Sequence, residues 1–421
     1  MSINLNDFHR ILLLSFPIAL ITGPLLPELI ILISIFIYFF KCSIKEIQKD
    51  FSNKIFLFLL AFTAYIFVVG FISFASQKSL ISSIFFFRFP LFSIIFFKFL
   101  NTDLKFRKLF LYILLSIFVF LFIDSTIQSI IKKNIFGLEL TVQRASSLFG
   151  DELILGSYTL KLSPILFGLL FLYYKEINKF FILIIPISLV TIILSGERSA
   201  FISSFILLML IIFLVDFNKK KYLVSGTFVV FLIILNSQLF KDRFIYDLQK
   251  KFILGQEYFY LPYEYSGFIF SSIEQFKNNP IIGGGVRSFR VNCKKTLLKL
   301  DAYNPNLKNN QQIKFIDQVV KGKCSTHPHN VILEFISELG SIGLIFIFYK
   351  FYFIIRNFLF YFRKNKKKYD LSNISNTIFT LSPLIIIFPI LPSGSFFNNW
   401  NLSLYFLNVA FLMYAVSNKR I

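Results

Sequence analysis

The chain has 421 residues, 56% of them hydrophobic, with 44 basic and 22 acidic side chains and a formal net charge of +22. Its mean hydropathy of +0.70 is more than a soluble core requires, and apolar runs of about 20 residues, enough to cross about 30 Å of hydrocarbon, recur along it. A soluble enzyme is thereby excluded and an all-α, polytopic membrane protein is left; because the basic residues punctuate the apolar runs, they read as cytoplasmic loops and no nucleic-acid partner is expected.

In chain order, residues 11–40 are apolar but carry Gly23-Pro24 at their centre, which predicts a helical hairpin. Further spans are expected near 55–75, 81–100, 109–127, 153–174, 180–195, 199–215, 222–238, 330–355, 374–392 and 399–416, about twelve in all. The first residues are polar and no small-x-small cleavage site follows them, so no cleavable signal is expected. The 60 phenylalanines read as a compositional bias that fills lipid-facing positions.

Short loops fix the expected orientation. KCSIKEIQKDFSNK (41–54), NTDLKFRK (101–108), YKEINK (174–179), FNKKK (217–221) and RKNKKKYD (363–370) are basic, whereas the loops near 76–80 and 393–398 carry only Lys78. Both termini are therefore expected in the cytoplasm. One outer loop, about Phe240 to Pro328 between the ninth and tenth spans, is far longer than the rest, and loops of that length are usually functional. The chain thus divides into 1–238 (spans one to nine), 239–328 (a large periplasmic cap) and 329–421 (spans ten to twelve).

Of the three cysteines, Cys42 falls in an inner loop and Cys293 and Cys324 in the large outer one. In an oxidising compartment the latter two are expected to form a disulfide, worth roughly 3–4 kcal/mol by loop closure; two unpaired thiols are the alternative. A disulfide would also remove the sulfur from a metal-like grouping of Cys324, His327 and His329, so no metal is expected.

Six basic residues stand out because they fall in or near the outer half of the membrane: Arg88 in FFFRFP, Arg144 in VQRASSLFGDE, Lys161 in GSYTLKLSP, Arg198 in LSGERSA, and Arg287 and Arg290 in the long loop. Guanidinium groups clustered near a membrane surface suit a phosphate or diphosphate. For Arg88 and Lys161 a structural ion pair or a snorkelling side chain is the competing reading. Arg198 sits in a tight turn beside Glu197. At the tenth span, His329 precedes a run in which Asn330, Glu334, Ser337, Glu338 and Ser341 recur every three or four residues. One continuous helix would gather them into a polar stripe facing the bundle interior, with Gly340 and Gly343 on another face for close helix packing. A histidine at the end of that stripe is placed to act as a general base, although a structural histidine fits the same position.

At these residues the sequence resembles the bacterial O-antigen ligase and O-antigen polymerase family. The ligase signature is His-Asn, nine residues, then Gly-x-x-Gly, met here by His329, Asn330, residues 331–339 and Gly340-Ser341-Ile342-Gly343. LSGERSA resembles the family's arginine-bearing turn, NNPIIGGGVRSFRVNC its glycine-rich periplasmic segment, and RASSLFGDELILGSY a further family segment.

The resemblance implies a GT-C-like membrane glycosyltransferase at the bacterial inner membrane with its site facing the periplasm. It would move a glycan from undecaprenyl diphosphate to lipid A core (ligase) or to a second lipid-linked glycan (polymerase), with inversion and without metal or nucleotide. His329 would be the general base. Arg198 and Arg290 would bind the donor diphosphate, with Arg144, Arg287, Arg88 and Lys161 near it. Asn330, Glu197, Glu334, Glu338, His327, Gly340 and Gly343 would support them. Membrane lipids would surround the spans. A transporter of the same lipid-linked sugars is the competing class, but it would want charge on both halves of its path.

Overall fold

The computed structural model describes residues 4–73, 76–175, 182–236, 240–246, 249, 263–293, 325–367 and 370–418, and it is all-helical apart from isolated bridges. Among the described residues six helices are long and apolar enough to cross a membrane: Lys54–Ile72, Gln77–Thr102, Leu104–Ile131, Leu155–Leu172, Val331–Asn365 and Asn399–Ser417. Ile184–Leu194, Arg198–Leu214 and Leu371–Ile386 are apolar but shorter. The protein is therefore a multi-pass membrane protein. A helix stands at each of the twelve expected positions, but only six of them meet the spanning criterion by themselves. At 1.5 Å per residue, the 11-residue helix Ile184–Leu194 is roughly half a hydrocarbon core in length.

The expected hairpin at the start is present. Helices Leu5–Leu14 and Phe16–Ala19 are separated from Leu25–Lys41 by a turn in which Gly23 has φ +108°, a conformation open to glycine. The basic segment after it forms the helix Ile44–Phe51, capped by reciprocal bonds between Ser43 and Glu46, with no buried residue.

The phenylalanines do more than face lipid. Phe16, Phe56, Phe86, Phe89, Phe92, Phe96, Phe106 and Phe110 are fully buried, and Phe96 meets Phe106, Phe110 and Phe411 ring to ring. Others, such as Phe36, Phe40 and Phe213, are exposed. Between helices the rings supply dispersion contacts, the attraction that remains when lipid is as apolar as the side chain.

One long helix, Val331–Lys367, is not continuous. Gly340 has φ +62° and ψ −158°, which breaks it, and this corrects the single uninterrupted helix expected from the sequence. The glycine-rich segment docks into the break. Gly284 N–H donates to Ser337 O (2.9 Å) and Gly285 N–H to Glu338 O (2.8 Å), while Ser341 N–H donates to Pro280 O (2.8 Å). The Tyr65 hydroxyl donates to Leu339 O. Broken backbone inside a membrane must find its partners in protein, and here it does. The approach is close enough to require glycine on both sides. A Cβ at Gly340 would lie 2.5 Å from Ile281 O, and one at Gly283 would lie 2.4 Å from the Glu338 carbonyl carbon.

Candidate active site

A cleft of about 780 Å³ opens among the 20–24 turn, the 148–161 segment, the arginine-bearing loop, residues 326–327 and the 394–401 segment. Four of the singled-out residues line it: Lys161, Arg287, Arg290 and His327. Lys161 donates to Asn401 Oδ1 and lies over the Trp400 ring at 4.8 Å. The Arg287 guanidinium donates to Phe397 O (2.7 Å) and Asn399 Oδ1 (2.9 Å), tying the glycine-rich loop to the far wall. Burial lowers its pKa from the usual value, and Arg290 beside it acts in the same direction. Arg290 differs, because among the described residues its guanidinium makes no hydrogen bond, and its Nε is buried.

The two glutamates of the expected stripe do not face this cleft. Glu338 accepts from the backbone N–H of Arg287 (2.7 Å) and of Phe289 (3.2 Å). Glu334 accepts from the Ser395 hydroxyl (2.6 Å) and Phe396 N–H (2.8 Å). Both are buried and hold loop backbone, one on each wall. Asn330 caps its helix, its Oδ1 taking Ile332 N–H at 2.9 Å, and its amide donates to Pro389 O at 2.7 Å. Gly343 leaves room for the Leu339 side chain beside the break.

His327 and His329 lie ring against ring, tilted by 46° with centroids 4.1 Å apart, and Phe268 lies against His329 at 5.1 Å. His329 has φ +53°, its carbonyl accepts Ser393 N–H at 2.9 Å, and its Nε2 lies 3.0 Å from Ser325 Oγ. His327 lines the cleft, so His329 is one ring removed from it. The pKa of His327 falls to about 4. Burial is the main cause, the His329 ring and Arg290 add to it, and the Ser393 backbone opposes.

The other arginines lie elsewhere. Arg88 pairs with Glu28 at 2.7 Å, the structural ion pair that competed with a donor role. Arg144 donates to Ser195 O (2.7 Å) and Leu153 O (3.1 Å), and its stem packs over Gly196, whose φ is +67°. Burial lowers the Arg144 pKa; Glu197 opposes, and Arg243 and Arg198 add to the effect. Arg198 begins the helix Arg198–Leu214 and donates to Arg243 O at 2.9 Å. Glu197 accepts Ser157 N–H at 3.1 Å, joining this cluster to the cleft wall that Ser157 lines. Cys293 is disulfide-bonded and Cys42 is free, whereas Cys324 lies outside the described residues. Among the described residues no group of three or more His, Cys, Asp or Glu side chains could hold a metal ion.

Sequence reasoning missed the segment Ser395–Asn401. It brings three asparagines and the chain's single tryptophan to the cleft. FFNNWN is an amide-rich run in a short loop beside a span, and that was the available signal.

Residues 181–348 match the family model described as O-antigen ligase. This segment bears the family resemblance. It spans the Arg198 turn, the glycine-rich segment and His329, so the likeness to this family of glycan-transferring membrane enzymes rests on the residues that the motifs singled out. A comparison with curated proteins gives no match.

Proposed function

We propose that this chain is an O-antigen ligase-type transferase that moves a glycan from undecaprenyl diphosphate to lipid A core at the periplasmic face, with inversion and without metal or nucleotide. The observation that carries the reading is Arg290, a guanidinium without a hydrogen-bonding partner among the described residues, in a cleft that also holds Arg287 and Lys161. A leaving diphosphate gains negative charge as the glycosidic bond breaks, so cations fixed beside it stabilise the transition state more than the ground state.

The acceptor hydroxyl attacks the anomeric carbon from the face opposite the diphosphate. Its O–H bond breaks, the new C–O bond forms, and the C–O bond to diphosphate breaks with the electron pair leaving on oxygen. The proton goes to the histidine pair, in which the motif gives His329 the part of base and His327 stands on the cleft. Arg198 adds positive charge from the neighbouring cluster, and the Cys293–Cys324 disulfide orders the loop that carries the arginines. With both termini in the cytoplasm, the cleft faces the periplasm.

The test is the glycolipid profile of a deletion strain complemented with wild type or His329→Ala. Long polymer left on the carrier with bare lipid A, rescued by wild type alone, supports the ligase. Accumulation of single repeat units points to the polymerase. Rescue by His329→Ala removes the base assignment.

A further inference from the structure

Among the described residues the cleft is lined by three cations and a single carboxylate, Glu152. We propose that Glu152 anchors the acceptor sugar, its two oxygens taking hydrogen bonds from acceptor hydroxyls and thereby setting which glycan can be extended. This rests on the reading of the cleft as a glycan-transfer site.

Three observations point to it. The first is a contrast among glutamates. Glu197, Glu334 and Glu338 each bind backbone N–H groups with their carboxylates, two of them taking a serine hydroxyl as well. Glu152 is exposed, and among the described residues its carboxylate makes no ion pair or hydrogen bond, although Arg287, Arg290 and Lys161 line the same cleft. A carboxylate that holds nothing of its own protein is available to a ligand.

The second is the rigidity of its backbone. Glu152 N–H donates to Phe149 O (3.0 Å) and its carbonyl accepts from Ile154 N–H (2.9 Å). The turn before it is held from below by side chains of the helix Leu104–Ile131: Gln128 Oε1 accepts Ser146 N–H and Ser147 N–H, and Asp124 accepts the Ser147 hydroxyl. From the other side Arg144 holds Leu153 O at 3.1 Å. These contacts fix the backbone from which the Glu152 side chain reaches into the cleft.

The third is chemical. A diphosphate is drawn to Arg290, Arg287 and Lys161 and repelled by Glu152, whereas the neutral hydroxyls of an acceptor sugar are donors that a carboxylate binds strongly. The asparagines of the 394–401 wall offer amides to the same kind of ligand.

The experiment uses the full chain in liposomes with purified undecaprenyl-diphosphate glycan as donor and lipid A core as acceptor. For Glu152→Ala the acceptor KM is expected to rise about tenfold or more, with the donor KM unchanged, and Glu152→Gln, which keeps one acceptor oxygen, should fall between. Because the side chain is exposed, folding should be unaffected, which the thermal unfolding midpoint checks. An unchanged acceptor KM, or equal rises for donor and acceptor, overturns the proposal. Binding of the free core oligosaccharide, measured by calorimetry without donor, separates the two readings. If wild type transfers no glycan, the functional reading fails, and this measurement still decides the role of Glu152: binding lost in Glu152→Ala supports it, equal binding overturns it.

Discussion

Two groups of arginines in this molecule direct their hydrogen bonds differently. In the Arg144–Arg198 cluster the guanidinium groups donate to backbone carbonyls, those of Ser195 and Leu153 for Arg144 and that of Arg243 for Arg198. In the cleft, Arg287 binds the far wall and Arg290 binds nothing among the described residues. A guanidinium presents five donors, so its residue type does not say whether they serve the fold or a ligand. What distinguishes them here is commitment. Arg144 closes a turn that no lysine could fork across, while Arg290 is carried on a loop anchored by Gly284, Gly285 and Glu338 and keeps its donors open.

That contrast can be broken by substitution. The largest effect is expected at the base: His329→Ala should lower kcat by about 10²–10⁴-fold with the donor KM near wild type, measured in a reconstituted transfer assay. A fall in donor affinity without a fall in turnover would move His329 from chemistry to binding. Gly340→Ala should destabilise the protein by about 2–4 kcal/mol, seen as a lower unfolding midpoint in detergent, because the side chain would meet Ile281 O in a backbone conformation that L residues avoid. Arg144→Ala should cost about 1–3 kcal/mol of stability and leave the donor KM of the folded fraction unchanged. A raised donor KM with full stability would place Arg144 with the ligand-binding arginines.

The smallest effect concerns pH. His327 has a folded pKa of about 4 against an ordinary 6.5, so the unfolded chain holds the proton more tightly. The stability that His327 contributes is complete above about pH 6.5 and is lost as pH falls toward 4. The midpoint of wild type should therefore drop more than that of His327→Gln between pH 7 and pH 5, and equal drops would contradict the burial of this ring.

Much of this was legible in sequence. Apolar runs marked the helix positions, and the Gly23-Pro24 hairpin followed from turn chemistry. Residues of the matched segment, His329 and the arginines among them, were found by motif. Other features were not visible. Periodicity placed Glu334 and Glu338 on one face, but their use as backbone acceptors depends on loops distant in sequence, as the Glu338–Arg287 separation of 51 shows. The break at Gly340 was hidden because glycine is also a packing residue, and only the docked loop shows which role it has. Arg88 and Arg290 look alike in sequence. Their difference lies in Glu28, 60 residues from Arg88.

The most direct test of the central claim is the donor KM of Arg290→Ala beside that of Arg144→Ala, measured with undecaprenyl-diphosphate glycan in liposomes and a chelator present. The account predicts transfer by wild type under these conditions, a loss of about 100-fold in kcat/KM for Arg290→Ala with a raised donor KM, and a near-wild-type donor KM for Arg144→Ala. Full activity in Arg290→Ala, or wild-type transfer that stops on chelation, would contradict it.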